Sequence, residues 1–217
     1  MSSSLNLPFR EDEVKDYERK RYRGLDQKIV HGREERILRK ILKKIGQESP
    51  LALDVPCGYG RFSSLFLRRG LRLVSSDFSL PMVRRARERS EHPGWPLAVV
   101  ANLKEGLPFK ESSFHSLFSI RFFHHLHLAE EREAILREFS RVSQRYVVLS
   151  YYQMNWLHSL QRKLRRLIKR SKTRIKMISR GQLEREVQEA GLRIVRIFPL
   201  FRGIHAYKLA LLEKPKI

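Results

Sequence analysis

Leu51-Ala52-Leu53-Asp54-Val55-Pro56-Cys57-Gly58-Tyr59-Gly60-Arg61-Phe62 reads as a strand, a glycine-bearing loop and the first turn of a helix. The apolar run closed by Asp54 has the length and composition of a buried parallel strand. Gly58 and Gly60 form a G-x-G loop, and an apolar helical pattern starts at Phe62. Such a loop lets the backbone approach a ligand closely, and the N–H groups of the helix that follows favour an anionic group. G-x-G alone is a weak signal, and a tight turn without a ligand also fits it. The choice between them depends on what surrounds the stretch.

Upstream, residues 10–23 are dense in both charges, with acids preceding bases in the order that suits a helix dipole. Gly24 reads as the end of this first helix. A second runs from about Arg33 to Ile45, with Ile37, Leu38, Ile41, Leu42 and Ile45 on one face, and Gly46 and Pro50 stop it. Residues 1–48 are thus expected to be N-terminal helices that pack on, or close over, a domain spanning 49–217.

Downstream, helices and strands alternate. Phe62, Leu65, Phe66 and Leu67 predict a helix closed by Gly70, and Leu71 to Ser76 a second strand ending at Asp77. Ser79 is placed to cap a helix that has Pro81 in its first turn. Leu97–Val100 and Phe114–Phe118 read as strands three and four, 129–142 as a helix and 145–151 as strand five. Helix 181–190 precedes two strand-like runs, 192–198 and 205–212. These two are too close in sequence for a parallel crossover and are expected to pair antiparallel. The rhythm predicts an α/β Rossmann-like domain: a seven-stranded, mostly parallel sheet with an antiparallel last strand and helices on both faces.

The 217 residues suffice for one sizeable core, and 41% hydrophobic content indicates a globular chain. The 45 Lys and Arg against 23 Asp and Glu leave a net charge of +22, a field that attracts polyanions or an anionic membrane surface. One cysteine, Cys57, excludes an internal disulfide and a cysteine-based zinc site, and no metal ligands are expected. The N-terminus has no secretory pattern and no apolar run approaches the ~18 residues of a membrane span. The expected address is cytoplasmic.

Six segments in order resemble the class I S-adenosylmethionine-dependent methyltransferases, in particular the ubiquinone/menaquinone-type group. They are Leu53–Gly60, Ser76–Met82, Asn102–Phe109, Ser113–His115, Phe122–Leu126 and Leu136–Val142. The resemblance implies S-adenosylmethionine as methyl donor and S-adenosylhomocysteine as product. Asp77 would accept both ribose hydroxyls, the role of an acid about 20 residues beyond such a loop. Gly58 and Gly60 would pass close to the methionine and ribose, and Asp54 would orient the ammonium. Asn102 would lie near the adenine, its amide oxygen replacing a more usual Asp. Pro56, Phe78 and Leu103 complete the implied binding set, with Tyr22 reaching over from the N-terminal segment. Pro56 replaces a frequent glycine, and His115 stands where the family commonly has Asp. A nicotinamide dehydrogenase fits the glycine spacing in part, but Ser63 replaces the third glycine, and Asp54 and the antiparallel tail argue against it.

His124, His125 and His127 follow strand four, at the edge where ligands bind in such sheets, and His124 is the candidate general base if the acceptor is a hydroxyl. These histidines could equally shape the pocket. Tyr151 and Tyr152 are expected to face the cleft, and Cys57 to be packed rather than nucleophilic. From Phe139 to Leu183 there is no acid, while Trp156 to Arg180 contains ten Lys and Arg. Apolar residues there recur at helical spacing, so the insertion at about 153–180 reads as a basic amphipathic helix led by Trp156. Three uses fit it: packing with a solvated basic face, contact with anionic lipid or a lipid-linked glycan, or binding of RNA or DNA phosphates. The acceptor is expected to be a small or lipid-linked molecule at or near a membrane face. An RNA acceptor, or a regulatory protein that binds the cofactor without catalysis, are the alternatives.

Overall fold

The computed structural model describes residues 13–14, 16, 24–46, 50–90, 92–154, 175–201 and 206–215. Tyr17, Tyr22 and Arg23, and most of the basic 153–180 insertion, lie outside the described residues.

Seven strands form one sheet in the order β3-β2-β1-β4-β5-β7-β6. They are β1 (Leu51–Asp54), β2 (Arg72–Asp77), β3 (Leu97–Val100), β4 (Phe114–Ser119), β5 (Ser143–Tyr152), β6 (Arg193–Pro199) and β7 (Tyr207–Glu213). The pairs β2–β3, β1–β2, β1–β4 and β4–β5 are parallel, whereas β7 runs antiparallel to both β5 and β6. The last strand therefore inserts between its two neighbours, as the antiparallel tail in the sequence required for one of them.

Alternate residues of the central strands feed two cores, because successive side chains leave opposite faces of a pleated strand. Leu53, Leu117, Val147 and Leu149 face α4 (Ala129–Val142) and α5 (Arg180–Glu189). Ala52, Phe118 and Val148 face α1 (Leu25–Ile45) and α2 (Ser63–Leu67). Helix α3 (Leu80–Glu88) packs Val83 and Ala86 against Cys57 in the glycine loop.

Two local expectations change. Helix α1 starts at Leu25, eight residues before the expected start, and Gly24 is its N-cap in an extended conformation. Gly32 lies inside it, at a cost of about 1 kcal/mol relative to alanine. The buried stripe from Glu34 through Leu38 and Ile41 offsets this. At α3, Ser79 occupies the N-cap without a side-chain cap bond. Its N–H donates to Asp77 Oδ1 at 3.0 Å, so Asp77 does the capping.

Between β1 and β4 the strand order reverses direction. In open α/β sheets a crevice forms at the carboxyl ends of the strands at this point, and ligands bind there.

Candidate active site

A cavity of about 270 Å³ opens at that crevice. Its floor is the end of β1 and the glycine loop; Asp77 and Phe78 border it from β2, Asn102 and Leu103 from the segment after β3. Ile120, Arg121 and His125, after β4, complete the wall.

Asp77 is buried, and both carboxylate oxygens meet backbone donors: Gly58 N to Oδ2 at 3.0 Å and Ser79 N to Oδ1 at 3.0 Å. One carboxylate thus sets the glycine loop and the first turn of α3 relative to each other. Burial pushes its pKa up, while the N–H groups of Ser79, Gly58 and Phe78 pull it down. Asp54 is also buried. Desolvation, and then repulsion from Asp77, raise its pKa to about 8. Burial thus favours the protonated form of Asp54, and a cation placed beside it would favour the carboxylate.

The two glycines have different surroundings. Gly58 has φ +53° and nothing within 4 Å of the position a Cβ would take. Gly60 has φ +73°, and a Cβ there would lie 2.7 Å from Ala86 Cα, so it lets the loop close on α3 and does not line the cavity. Pro56, after a cis Val55–Pro56 peptide, does line it. The Asn102 side chain is engaged in its own turn: its amide oxygen accepts from Lys104 N at 3.1 Å, and its nitrogen donates to Glu105 Oε1 at 2.8 Å. Cys57 is buried with Sγ 3.3 Å from Gly58 O, and burial raises its pKa well above the usual thiol value, as suits a packed thiol.

Of the three histidines, His125 lies on the cavity wall. His124 is buried behind it, with ring centroids 4.1 Å apart, and meets Tyr152 edge-on at 5.0 Å. Tyr151 points into the core, its hydroxyl donating to Gln153 Oε1 at 3.0 Å. Arg132, itself buried, fixes the segment after β4. It pairs with Glu186 of α5 at 2.6 Å and donates to the carbonyls of Leu126 and His127 at 3.1 and 3.3 Å. At the loop, Val14 packs with Tyr59 and Met82, bringing the N-terminal segment onto the cavity's rim.

The sequence reading did not single out Glu34, Arg61 or Arg121. Glu34 is fully buried on α1, with Arg121 Nε 2.7 Å from Oε1 and Arg121 Nη2 3.0 Å from Oε2. Arg61 Nη2 reaches the same Oε2 at 3.0 Å. Both arginines line the cavity. A signal for Glu34 was present: it lies three and four residues before Ile37 and Leu38, so it is an acid in the apolar stripe.

The residues fit S-adenosylmethionine. A buried acid closes β2 for the ribose, a second carboxyl suits the ammonium, and Gly58 leaves open space for a close approach.

Comparison with known proteins agrees. Residues 53–150 match the family model described as a methyltransferase domain. Demethylmenaquinone methyltransferase from Streptomyces griseus is 33% identical over 107 residues, 48% of this chain and 44% of that protein. A probable tRNA methyltransferase 9B from Mus musculus is 32% identical over 92 residues, covering 42% of this chain and 19% of that one. The chain thus spans less than half the length of these curated relatives. Among solved structures, magnesium protoporphyrin IX methyltransferase from Synechocystis PCC 6803 with bound SAH has a TM-score of 0.77 at 17% identity. That match covers 93% of this chain and 94% of the other. Residues 53–150 are thus similar to a methyltransferase domain, and the chain has the fold of the S-adenosylmethionine-dependent methyltransferases to which it is similar.

Proposed function

We propose that this protein transfers a methyl group from S-adenosylmethionine to a small or lipid-linked acceptor. The observation that carries the reading is the cavity at the β1–β4 switch point, which brings Asp54, Gly58 and Asp77 to one ligand-sized space. Asp77 binds the ribose hydroxyls, and Asp54, ionised by a neighbouring ammonium, orients the amino-acid end. Phe78, Asn102 and Leu103 border the adenine, and Pro56 contributes its carbonyl to the loop. Contact of the N-terminal segment with the bound cofactor, expected at Tyr22, is supported by Val14 packing on Tyr59.

When bound, the cofactor supplies an electrophilic methyl on a sulfonium. The acceptor's lone pair forms the new bond as the methyl–sulfur bond breaks, and sulfur keeps that electron pair. Alignment and exclusion of water supply most of the acceleration, and a base is needed only for an acceptor that carries a proton. His125 on the wall is the group to take such a proton, with His124 holding its ring from behind.

The basic 153–180 segment is proposed to meet an anionic membrane face beside the acceptor site, with the protein peripheral at the cytoplasmic side. Among the described residues no helix is long and apolar enough to cross a membrane. A second reading, RNA methylation, is favoured by the net charge of +22 and by the likeness to a probable tRNA methyltransferase.

One experiment separates these readings. Methyl-labelled cofactor is offered with the protein to total RNA, to a lipid extract and to acid-soluble metabolites. Label in the lipid or metabolite fraction supports the proposal, and label in RNA replaces it with the second reading. Label in none, with S-adenosylhomocysteine still binding, points to a regulatory protein without catalysis.

A further inference from the structure

The second half of α1 turns a wholly basic face to solvent. Arg36, Lys40, Lys43 and Lys44 recur at helical spacing over about 12 Å of the axis, and all four are exposed. The nearest acids on α1 are engaged elsewhere: Glu34 is buried against Arg121, and Glu35 pairs with Arg39 at 3.3 Å. Three more exposed cations adjoin this face, Arg68 and Arg69 after α2 and Arg72 at the start of β2. Arg72 stands opposite Leu51, the first residue of β1, and its N–H donates to Pro50 O at 3.1 Å. Ile45 at the end of α1 shares one apolar cluster with Leu67 and Leu71. The ends of α1 and α2 thus meet the start of β2 at the amino edge of the sheet, opposite the cavity. Among the described residues, none of these cationic side chains makes a hydrogen bond or an ion pair.

The helix dipole accounts for part of this charge. Lys43 and Lys44 lie in the last turn of α1, and Arg68 and Arg69 follow α2, where cations are favourable. Arg36 and Lys40 precede that last turn, and Arg72 is on a strand. From Arg36 to Arg72 the sequence has nine Lys and Arg against two acids, Glu48 and Asp54, and Asp54 is buried at the cavity. Solvated surfaces ordinarily intersperse both signs, and this one does not.

Such a face fits a polyanion, and its composition selects the class. A bilayer surface is met by cations beside an apolar face that enters it. Here the large exposed apolar side chains of the described residues, Ile29 and Phe78 the nearest in sequence, all fall outside 36–72. Phosphates need only the cations. The cations also turn a corner, from the helical layer onto the sheet edge. A stiff duplex cannot follow that turn; a single strand, of which RNA is the common cellular form, can.

We propose that α1, the end of α2 and the start of β2 form a binding surface for the phosphate backbone of single-stranded RNA. Binding there needs no cofactor. The aromatic residues within 36–72, Tyr59, Phe62 and Phe66, are buried, so bases find nothing to stack on. Binding is therefore indifferent to sequence and steep in salt.

The test uses the full chain and a short, unstructured, fluorophore-labelled RNA, with anisotropy read over a series of salt concentrations. Three double variants each remove two charges. Lys40→Gln/Lys44→Gln and Arg68→Gln/Arg69→Gln act on the surface, while Lys110→Gln/Arg185→Gln removes exposed cations before β4 and on α5. Each surface variant is expected to weaken RNA binding about tenfold or more, and to reduce the slope of log K against log salt by about 1.4, the loss of two phosphate contacts. The Lys110/Arg185 variant is expected to keep the wild-type slope, and all three to melt with wild type.

Equal losses in the three variants mean that RNA responds to net charge alone, and overturn the proposal. So does a wild type that binds no RNA, or RNA binding that the surface variants leave unchanged. Vesicles of phosphatidylserine and phosphatidylcholine, and a DNA duplex of the same length, complete the set. Surface variants that lose the vesicles and keep the RNA assign the face to a membrane instead. A duplex bound as tightly as the single strand, with the same losses in the variants, overturns the choice of a single strand.

Discussion

The cavity has two charged walls built on different principles. On one, Asp77 is held by backbone N–H groups 19 and 2 residues away in sequence, in the loop after β1 and at the start of α3, within two consecutive strand–helix units. On the other, Arg121 is held by Glu34, 87 residues away on α1. The first wall is a local device: its donors come with the loop, and any acid at that strand end would find them. The second exists only because α1 packs over the end of β4. Local construction gives Asp77 a modest structural task and leaves it free for the ligand-binding task proposed for it. In the second wall the arginines' placement is inseparable from the attachment of α1.

The sharpest break between the walls is expected at Glu34. Glu34→Ala leaves two buried guanidiniums without their shared carboxylate, a loss of about 3–5 kcal/mol. That corresponds to a fall in melting temperature of about 10 °C for a chain of this size. Asp77→Ala is expected to melt far closer to wild type; equal losses in thermal denaturation would erase the distinction. In binding the order reverses. Asp77→Ala should weaken S-adenosylhomocysteine by about 100-fold if Asp77 makes the charge-assisted bonds to the ribose proposed for it, and calorimetry reads this directly.

The two glycines offer a finer contrast within the first wall. Gly60→Ala forces a Cβ against Ala86 at positive φ and should cost about 2 kcal/mol of stability in denaturant unfolding. Gly58→Ala points into open space, so its main effect should be on cofactor affinity. If Gly58→Ala is the more destabilising of the two, the assignment of their duties is wrong.

The smallest effect concerns protons at Asp54. Its pKa rises from 3.8 unfolded to about 8 folded. Below the unfolded value both states hold the proton and the group contributes nothing. Between the two values only the folded state holds it, so the ligand-free protein loses stability as pH climbs from about 4 to about 8. Asp54→Asn should remove that contribution, widening its stability advantage over wild type between pH 5 and pH 8. Binding of S-adenosylhomocysteine at pH 7 should release about one proton, seen as different calorimetric heats in phosphate and Tris. Identical heats would mean that Asp54 stays protonated beside the ammonium or is ionised before it arrives.

Much of the first wall was legible in the sequence. An apolar run ending in an acid, two glycines and a second acid at the next strand end are features of neighbouring residues, and strand and helix periods locate them. The same reading put α1 eight residues short, because Gly24 and Gly32 look like punctuation until the buried stripe of α1 is known to continue to Glu34. It also gave Gly58 and Gly60 one joint role, which Ala86 on α3 divides. It named His124 ahead of His125; in a 3-10 turn adjacent residues face different ways, and only the packing against Tyr152 decides which of them is buried.

By itself, then, the sequence determined the alternation of strands and helices, the antiparallel pairing of the last two strands and the acids that end β1 and β2. All of these depend on backbone preference and on patterning over a few residues. The tertiary structure alone decided that β7 inserts between β5 and β6, that Gly60 serves packing, and that Arg61 and Arg121 meet over Glu34. Those outcomes depend on which distant surfaces exclude water together, and burial of charge across 87 residues leaves no local period to read.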